Sequence, residues 1–475
     1  MSIILIGYKL SKKLFYNLGI KMGYFGFRWF VVCALGLFSN YTSASPPSVK
    51  NVTVTLFQWP FEAIAAECPK LASLGYGYVE TSPVHEHVQG SQWWVSYQPV
   101  SYRIAGRLGG EEAFKKMIAR CHQAGIKIIV DVVLNHMTKG GGLGTGGSVY
   151  SKYDYPGTYQ VQDFHWCHSP IYDYRDRDNV QNCELDSLAD LDTASHYVRS
   201  KLAAFLNHLI SLQVDGFRID AAKHISAADV EAIKAKLNKN VFWVQEVIYG
   251  EGEAVQPEEY LHLGDIDEFR YGRDLKRVFN NEKLHYLANF GEGWGYLASQ
   301  KARVFIDNWD TERNGSTLNY KDGQNYILAN IFMLSYPYGS PNVYSGYQFS
   351  NADSGSPEAR PCFNNWLCQH RWRALANMVA FYNAVQGQPL TNWWSNNNNA
   401  IAFGRGSKGF VIINHENKTL SATFQTSLWP GVYCDIIHGD ITDGGKCTGP
   451  SYQVDANGTL TAFVNANDAL ALYSS

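Results

Sequence analysis

From residue 52 to about residue 335 the chain alternates short apolar runs of strand character with longer stretches of helical period. VTVTLF (52–57) precedes FEAIAAECPKLASLG, and YGYVE (76–80) precedes a long loop and then EEAFKKMIARCHQAG. IKIIVDVVLN (126–135) is followed, after a polar stretch, by SHYVRSKLAAFLNHLISL. VDGFRIDAA, VFWVQEVI, DIDEFR and RVFIDN continue the strand series, with helix-like SAADVEAIKAKL and NYILANIFML between or after them. Continuously apolar strands separated by helices imply a parallel sheet buried on both faces. About eight such units predict an α/β fold of the TIM (β/α)8 barrel type.

Two segments break this rhythm. Residues 137–192 contain GGGLGTGG and many Tyr and Asp, and are too long for a βα loop, so they read as an inserted subdomain between barrel halves 45–136 and 193–390. From residue 391 to 475 the pattern changes to short strands (AIAFG, GFVIIN, SATFQT, TAFVNA) with turn signals, an antiparallel β-domain. The Asn tract at 396–399 is read as a loop tip.

The N-terminus carries an address. WFVVCALGLF (29–38) is a ten-residue apolar run preceded by Arg28 and four Lys, and it ends near the small residues Thr42-Ser43-Ala44. That fits a secretory signal over 1–44, with Met22 as an alternative start, and is far short of the ~20 residues of a spanning helix. The expectation is a secreted, extracellular protein with no membrane partner after signal removal. Cys33 lies inside the signal, which leaves eight cysteines, the even number expected of a disulfide framework. The close pairs 167/183, 362/368 and 434/447 read as local staples, leaving 68 with 121. The formal charge of −3 offers no basic footprint for nucleic acid. Aromatic residues at 14%, beside charged residues at only 17%, suit stacking on neutral, hydroxyl-covered ligands.

Polar residues follow the apolar strand cores: Asp131, Asn135 and His136 after IKIIV, Arg218 and Asp220 in GFRID, Glu246 after VFWVQ, and Asp310 in FIDNWD. In a barrel the strand C-termini converge on one face, so such residues meet there. Arg218 and Asp220 are two apart, hence on one side of a strand, where the guanidinium is expected to keep Asp220 ionised as a nucleophile. Glu246 follows four apolar residues, and an apolar setting is expected to raise its carboxyl pKa as an acid catalyst requires. Two such carboxyls suit retaining glycoside hydrolysis, at a separation of roughly 5–5.5 Å.

DVVLNH (131–136), GFRIDAAKH (216–224), QEVI (245–248) and FIDNWD (305–310) resemble the four signature segments of the α-amylase family. QWWVSYQPVSY (92–102) resembles the aromatic substrate platform of its animal-type and actinobacterial group. The resemblance implies a catalytic barrel, a calcium-binding insert after the third strand and a C-terminal Greek-key β-domain. It assigns Asp220 as nucleophile, Glu246 as general acid/base and Asp310 as the third carboxylate. Substrate-binding residues by the same resemblance are Trp93, Trp94, Tyr97, Gln98, His136, Arg218, Lys223, His224 and Trp309.

Calcium ligands by resemblance are the side chains of Asn135 and Asp190 and the backbone carbonyls of Gln181 and His224. Many animal members also bind chloride through two Arg and an Asn. Arg218 and Asn308 are present, but Asn342 stands where the second Arg is expected, so weak or absent chloride dependence follows. The implied activity is secreted, calcium-dependent endo-hydrolysis of starch or glycogen by a monomer. The alternatives are a transglycosylase or exo-glucosidase on the same barrel, or a starch-binding relative weakened by Trp309, which stands where most relatives have His.

Overall fold

The computed structural model describes residues 52–474. The expected signal segment, residues 1–44, lies outside them. Among the described residues eight parallel strands close into a barrel in sequence order, with the last pairing back on the first. They are β1 (Thr53–Leu56), β2 (Tyr78–Thr81), β3 (Lys127–Val133) and β4 (Gly216–Asp220), then β5 (Phe242–Gln245), β6 (Asp265–Asp267), β7 (Ala302–Val304) and β8 (Ser340–Ser345). Around them run α1 (Phe61–Leu74), α2 (Glu111–Gln123), α3 (His196–Ser211), α4 (Ala227–Lys234), α5 (Phe269–Asn281), α6 (Gln324–Ser335) and α7 (Arg373–Ala384). Gly75, at φ +89°, ends α1 in the left-handed conformation that glycine adopts without a Cβ clash.

Three local expectations change. DIDEFR is a strand only over Asp265–Asp267, because Phe269 already opens α5, with the Glu268 side chain accepting from the Arg270 N–H. The fifth strand is followed by a single 3-10 turn, Pro257–Tyr260, rather than a full helix. The strands are buried on both faces, yet their inner face is not uniformly apolar. Outward residues such as Val130, Val132, Phe217, Ile219 and Val304 pack in the main core with the helices. Inward positions hold Glu80, Asp131, Arg218, Asp267 and Arg303, all buried. These charges survive burial because each meets an opposite charge.

Between β3 and α3 lie short strand pairs and the helix Arg177–Asn182. C-terminal to α7, β9 (Leu390–Ser395), β10 (Ala400–Arg405), β11 (Gly409–Asn414) and β16 (Asp468–Tyr473) lie side by side in that order in one antiparallel sheet. The second sheet has β12 (Leu420–Gln425) beside β15 (Thr459–Val464), then β14 (Ser451–Val454) and β13 (Gly431–Cys434). That order, with the first strand returning beside the fourth, is a Greek key. Along β10 and β11 the two-residue period divides the side chains. Ile401, Phe403, Val411 and Ile413 join the barrel core, while Ala402, Phe410 and Ile412 join the sandwich core with Phe424 and Leu460. Among the described residues the cysteines form four disulfides, 68–121, 167–183, 362–368 and 434–447.

Candidate functional site

The C-terminal ends of the barrel strands open into a cleft of about 890 Å³. Asp220, Glu246 and Asp310 all line it. β4 ends at Asp220, and the next residue, Ala221, sits at φ +48°. A left-handed alanine costs about 1–2 kcal/mol, so the turn is held by its surroundings. One of those is Glu246, whose Oε2 accepts the Ala221 N–H at 2.8 Å. Asp310 follows Asn308, whose Oδ1 accepts the N–H groups of Asp310 and Thr311 at 3.1 and 2.9 Å.

Arg218 lies beneath the three, almost fully buried. Its Nη1 donates to Asp131 Oδ1 at 2.9 Å and to Asp220 Oδ1 at 2.8 Å, and its Nη2 stands 3.0 Å from Glu246 Oε1. One cation therefore serves several carboxylates, and two sequence expectations change. Burial outweighs Arg218 at Asp220, and the neighbouring Glu246 and Asp310 add to it, so its pKa is pushed up to about 7 rather than held low. Glu246 is set among a guanidinium and a backbone N–H, not in an apolar pocket. Asp310 is likewise pushed up to about 7 by burial and by Glu246, against Arg218 and Arg313. The Tyr97 hydroxyl donates to Asp131 Oδ2 at 2.8 Å and ties the platform to this network.

The other expected substrate residues converge on the same cleft. Trp93, Trp94, Tyr97 and Gln98 line one wall. Trp93 and Trp94 direct their indole N–H groups to Ala352 O (2.9 Å) and Asp353 Oδ1 (3.3 Å), which fixes the ring planes. His136, Lys223, His224 and Trp309 line it too. Burial lowers His136 and His224 to about 4, so both imidazoles are neutral at pH 7. Lys223 Nζ donates to Ile248 O at 2.6 Å and pairs with Glu253. Trp309 does more packing than its place in a cleft suggests. Its ring stacks on Phe57 at 5.2 Å and lies under the Arg218 guanidinium at 4.9 Å.

The sequence reading missed Tyr174, Asp186 and Glu253 of the cleft wall. They sit on irregular segments, and no strand or helix pattern marks them. Arg303, Glu80 and Asp267 were also missed, although each falls within a strand the reading had found.

Of the expected calcium ligands, Asn135 Nδ2 reaches Asp190 Oδ1 at 3.1 Å, both nearly fully buried. Asp190 Oδ2 also meets His165 Nδ1 at 2.6 Å. Gln181 is in the last turn of the helix Arg177–Asn182, where carbonyls lack intrahelical partners, and its side chain donates to Tyr260. His224 Nδ1 faces Val180 O at 3.0 Å, which sets these two segments together. A buried carboxylate, an amide and helix-end carbonyls form the oxygen-rich donor set a hard cation requires, so the residues fit calcium.

A parallel barrel whose strand ends gather three carboxylates beside an aromatic wall belongs to the barrel glycoside hydrolases. Two family models match, "Alpha amylase, catalytic domain" over residues 64–259 and "Alpha amylase, C-terminal all-beta domain" over 393–475. An α-amylase of Streptomyces violaceus is 56% identical over 436 residues, covering 90% of this chain and 75% of that protein. An α-amylase-related protein of Drosophila atripex is 42% identical over 476 residues, covering 92% and 96%. The crystal structure of α-amylase I from Eisenia fetida superposes with a TM-score of 0.86 at 38% identity, covering 90% of this chain and 99% of that one. A mutant of the same Eisenia fetida enzyme was solved with maltohexaose. The chain belongs to the α-amylase family.

Proposed function

We propose that this chain hydrolyses internal α-1,4-glucosidic bonds of starch and glycogen with retention of configuration, using Asp220, Glu246 and Asp310. The observation that carries the reading is the convergence of these three carboxylates, from β4, the end of β5 and the segment after β7, on one cleft around Arg218. Asp220, ionised, attacks the anomeric carbon while Glu246 donates its proton to the leaving oxygen, which departs as a free hydroxyl. Water then gives a proton to Glu246 and attacks the glycosyl ester, releasing Asp220. Asp310 orients the sugar, and Trp93, Trp94, Tyr97, Gln98, His136, Lys223 and His224 hold its neighbours. Asp220→Asn and Glu246→Gln should each lower kcat on soluble starch at least ~10²–10⁴-fold. Near-parental turnover by either variant would remove its assigned role.

Internal cleavage separates this reading from an exo-acting or transglycosylating relative: starch viscosity drops faster than reducing ends appear. Asn135, Asp190 and the carbonyls of Gln181 and His224 would hold calcium, which would supply a fixed positive charge between the insert and the barrel wall. Chloride dependence is weak or absent on this reading. Asn342 is uncharged and donates to Thr55 Oγ1 at 2.9 Å, and Arg218 already faces four carboxylates. Residues 1–44 as a secretory signal, secretion and a monomeric state complete the proposal. Four disulfides accord with an oxidising compartment, and no helix among the described residues is long and apolar enough to cross a membrane.

A further inference from the structure

Below the catalytic carboxylates the barrel interior holds a second ion cluster. Arg303 of β7 grips Asp267 of β6 with two parallel hydrogen bonds, Nε to Oδ1 at 2.6 Å and Nη2 to Oδ2 at 3.0 Å. Its Nη1 pairs with Glu80 of β2, whose other oxygen accepts from Thr55 Oγ1 at 3.1 Å. All three charged groups are buried, none more than 4% exposed. Bidentate guanidinium–carboxylate pairs are the strong, directional kind.

The cluster touches the catalytic arginine at one point. Asp267 Oδ2 stands 3.8 Å from Arg218 Nε, and that Nε–H is buried with no acceptor within hydrogen-bond reach. A free buried donor next to a carboxylate would ordinarily close to a hydrogen bond, because leaving a buried donor unsatisfied is costly. Here the carboxylate is held back by its two bonds to Arg303. Were Asp267 to swing over, Arg218 would share its charge with one more anion and bind Asp131, Asp220 and Glu246 less.

We propose that Arg303 is a positioning residue: by clamping Asp267 and Glu80 it reserves the charge of Arg218 for the nucleophile Asp220 and the acid/base Glu246. The proposal rests on the roles given to those two carboxylates above. It deepens that reading by placing a residue that reaches the site only through Asp267 and Arg218 in control of the site's proton affinity. The groups that face Asp220 and Arg218 from other elements are Asp131, Tyr97, Glu246, Asp310 and, through Asp310, Arg313. Asp267 faces Arg218 as well and is the one such group that a variant below replaces; the others stay unchanged.

The test is kcat/KM on soluble starch across pH for the full chain, with thermal melting as a folding control. Arg303→Met should move the acid limb upward by about one pH unit, a roughly tenfold loss one unit below the parental limb. Two double variants then separate competition from plain charge. Asp267→Asn with Arg303→Met, and Glu80→Gln with Arg303→Met, carry the same net charge and leave one unpaired buried carboxylate each. Only the first removes the anion that touches Arg218, so it should return the limb to the parental position while the second stays shifted. Equal limbs for the two doubles, or a parental limb for Arg303→Met, would overturn the proposal. If Arg303→Met does not fold, Arg303→Lys keeps the charge but loses the two-pronged grip. It should give a smaller upward shift, and an unshifted limb would count against the clamp. Failure of the catalytic reading itself shows separately, as an Asp220→Asn variant that still hydrolyses starch.

Discussion

Trp309 shows how one residue can serve a cleft and a core together. The histidine expected at this place would carry charge and donate to sugar hydroxyls, whereas Trp has a single indole N–H and no charge. In the structure the ring fills the space between Phe57 and Arg218, stacked on one and under the other. A desolvated cation–π contact contributes about 2 kcal/mol, so Trp309 steadies the guanidinium on which the carboxylates depend. Trp309→His should therefore move two observables in opposite directions. Stability falls by about 2 kcal/mol, read as a lower Tm, because a smaller ring leaves a void. Against that, a restored charged donor should raise kcat/KM on soluble starch, by at most about one to two decades. A kcat/KM that stays level or drops at every pH would show that Trp309 does not slow the parent. Sequence alone exposed the departure at 309, since it lies inside a signature segment. Phe57 directly follows β1 and Arg218 lies in β4, and only folding brings them there.

Among the elements, legibility followed the chemistry of the inward face. β3 was plain because IKIIVDVV is apolar at nearly every position. No strand is expected at β8 from the sequence, since Ser340, Pro341 and Asn342 interrupt any apolar run, yet its polar inner residue Asn342 is satisfied by Thr55 of β1. α5 was hidden behind DIDEFR, a segment whose last three residues belong to the helix cap and first turn. α1 and α2 were both legible, and the disulfide 68–121 joins them across 53 residues. Closing a loop of that length removes denatured-state entropy equivalent to about 4 kcal/mol at 25 °C. Replacing both cysteines with Ala should lower the Tm of the whole chain without changing KM for starch, because the bridge lies outside the cleft. An unchanged Tm would mean that the helix pair is held by packing alone.

At the scale of the whole molecule, the residues proposed to hold calcium come from segments that are distant in sequence. Asn135 follows β3, Gln181 and Asp190 belong to the insert, and His224 follows β4. A cation bound by the folded state and not by the unfolded chain stabilises by mass action, about 2.7 kcal/mol at one hundred times Kd. Excess chelator should therefore lower Tm, and readdition of calcium should restore it. A Tm indifferent to chelator would remove the metal assignment. The barrel, the C-terminal β-domain and the four cysteine pairs were legible in the amino-acid sequence, as were three carboxylates that the fold brings to one cleft. Each of these is written in local periodicity, in spacing or in a short contiguous motif. The electrostatics came only with folding. Arg303 and Glu80 lie 223 residues apart and meet inside the barrel. Asp220 is pushed up to about 7 although its neighbour in the strand is an arginine. The balance of desolvation against charge depends on every group that closes around a site, and that set exists only after the strands have met.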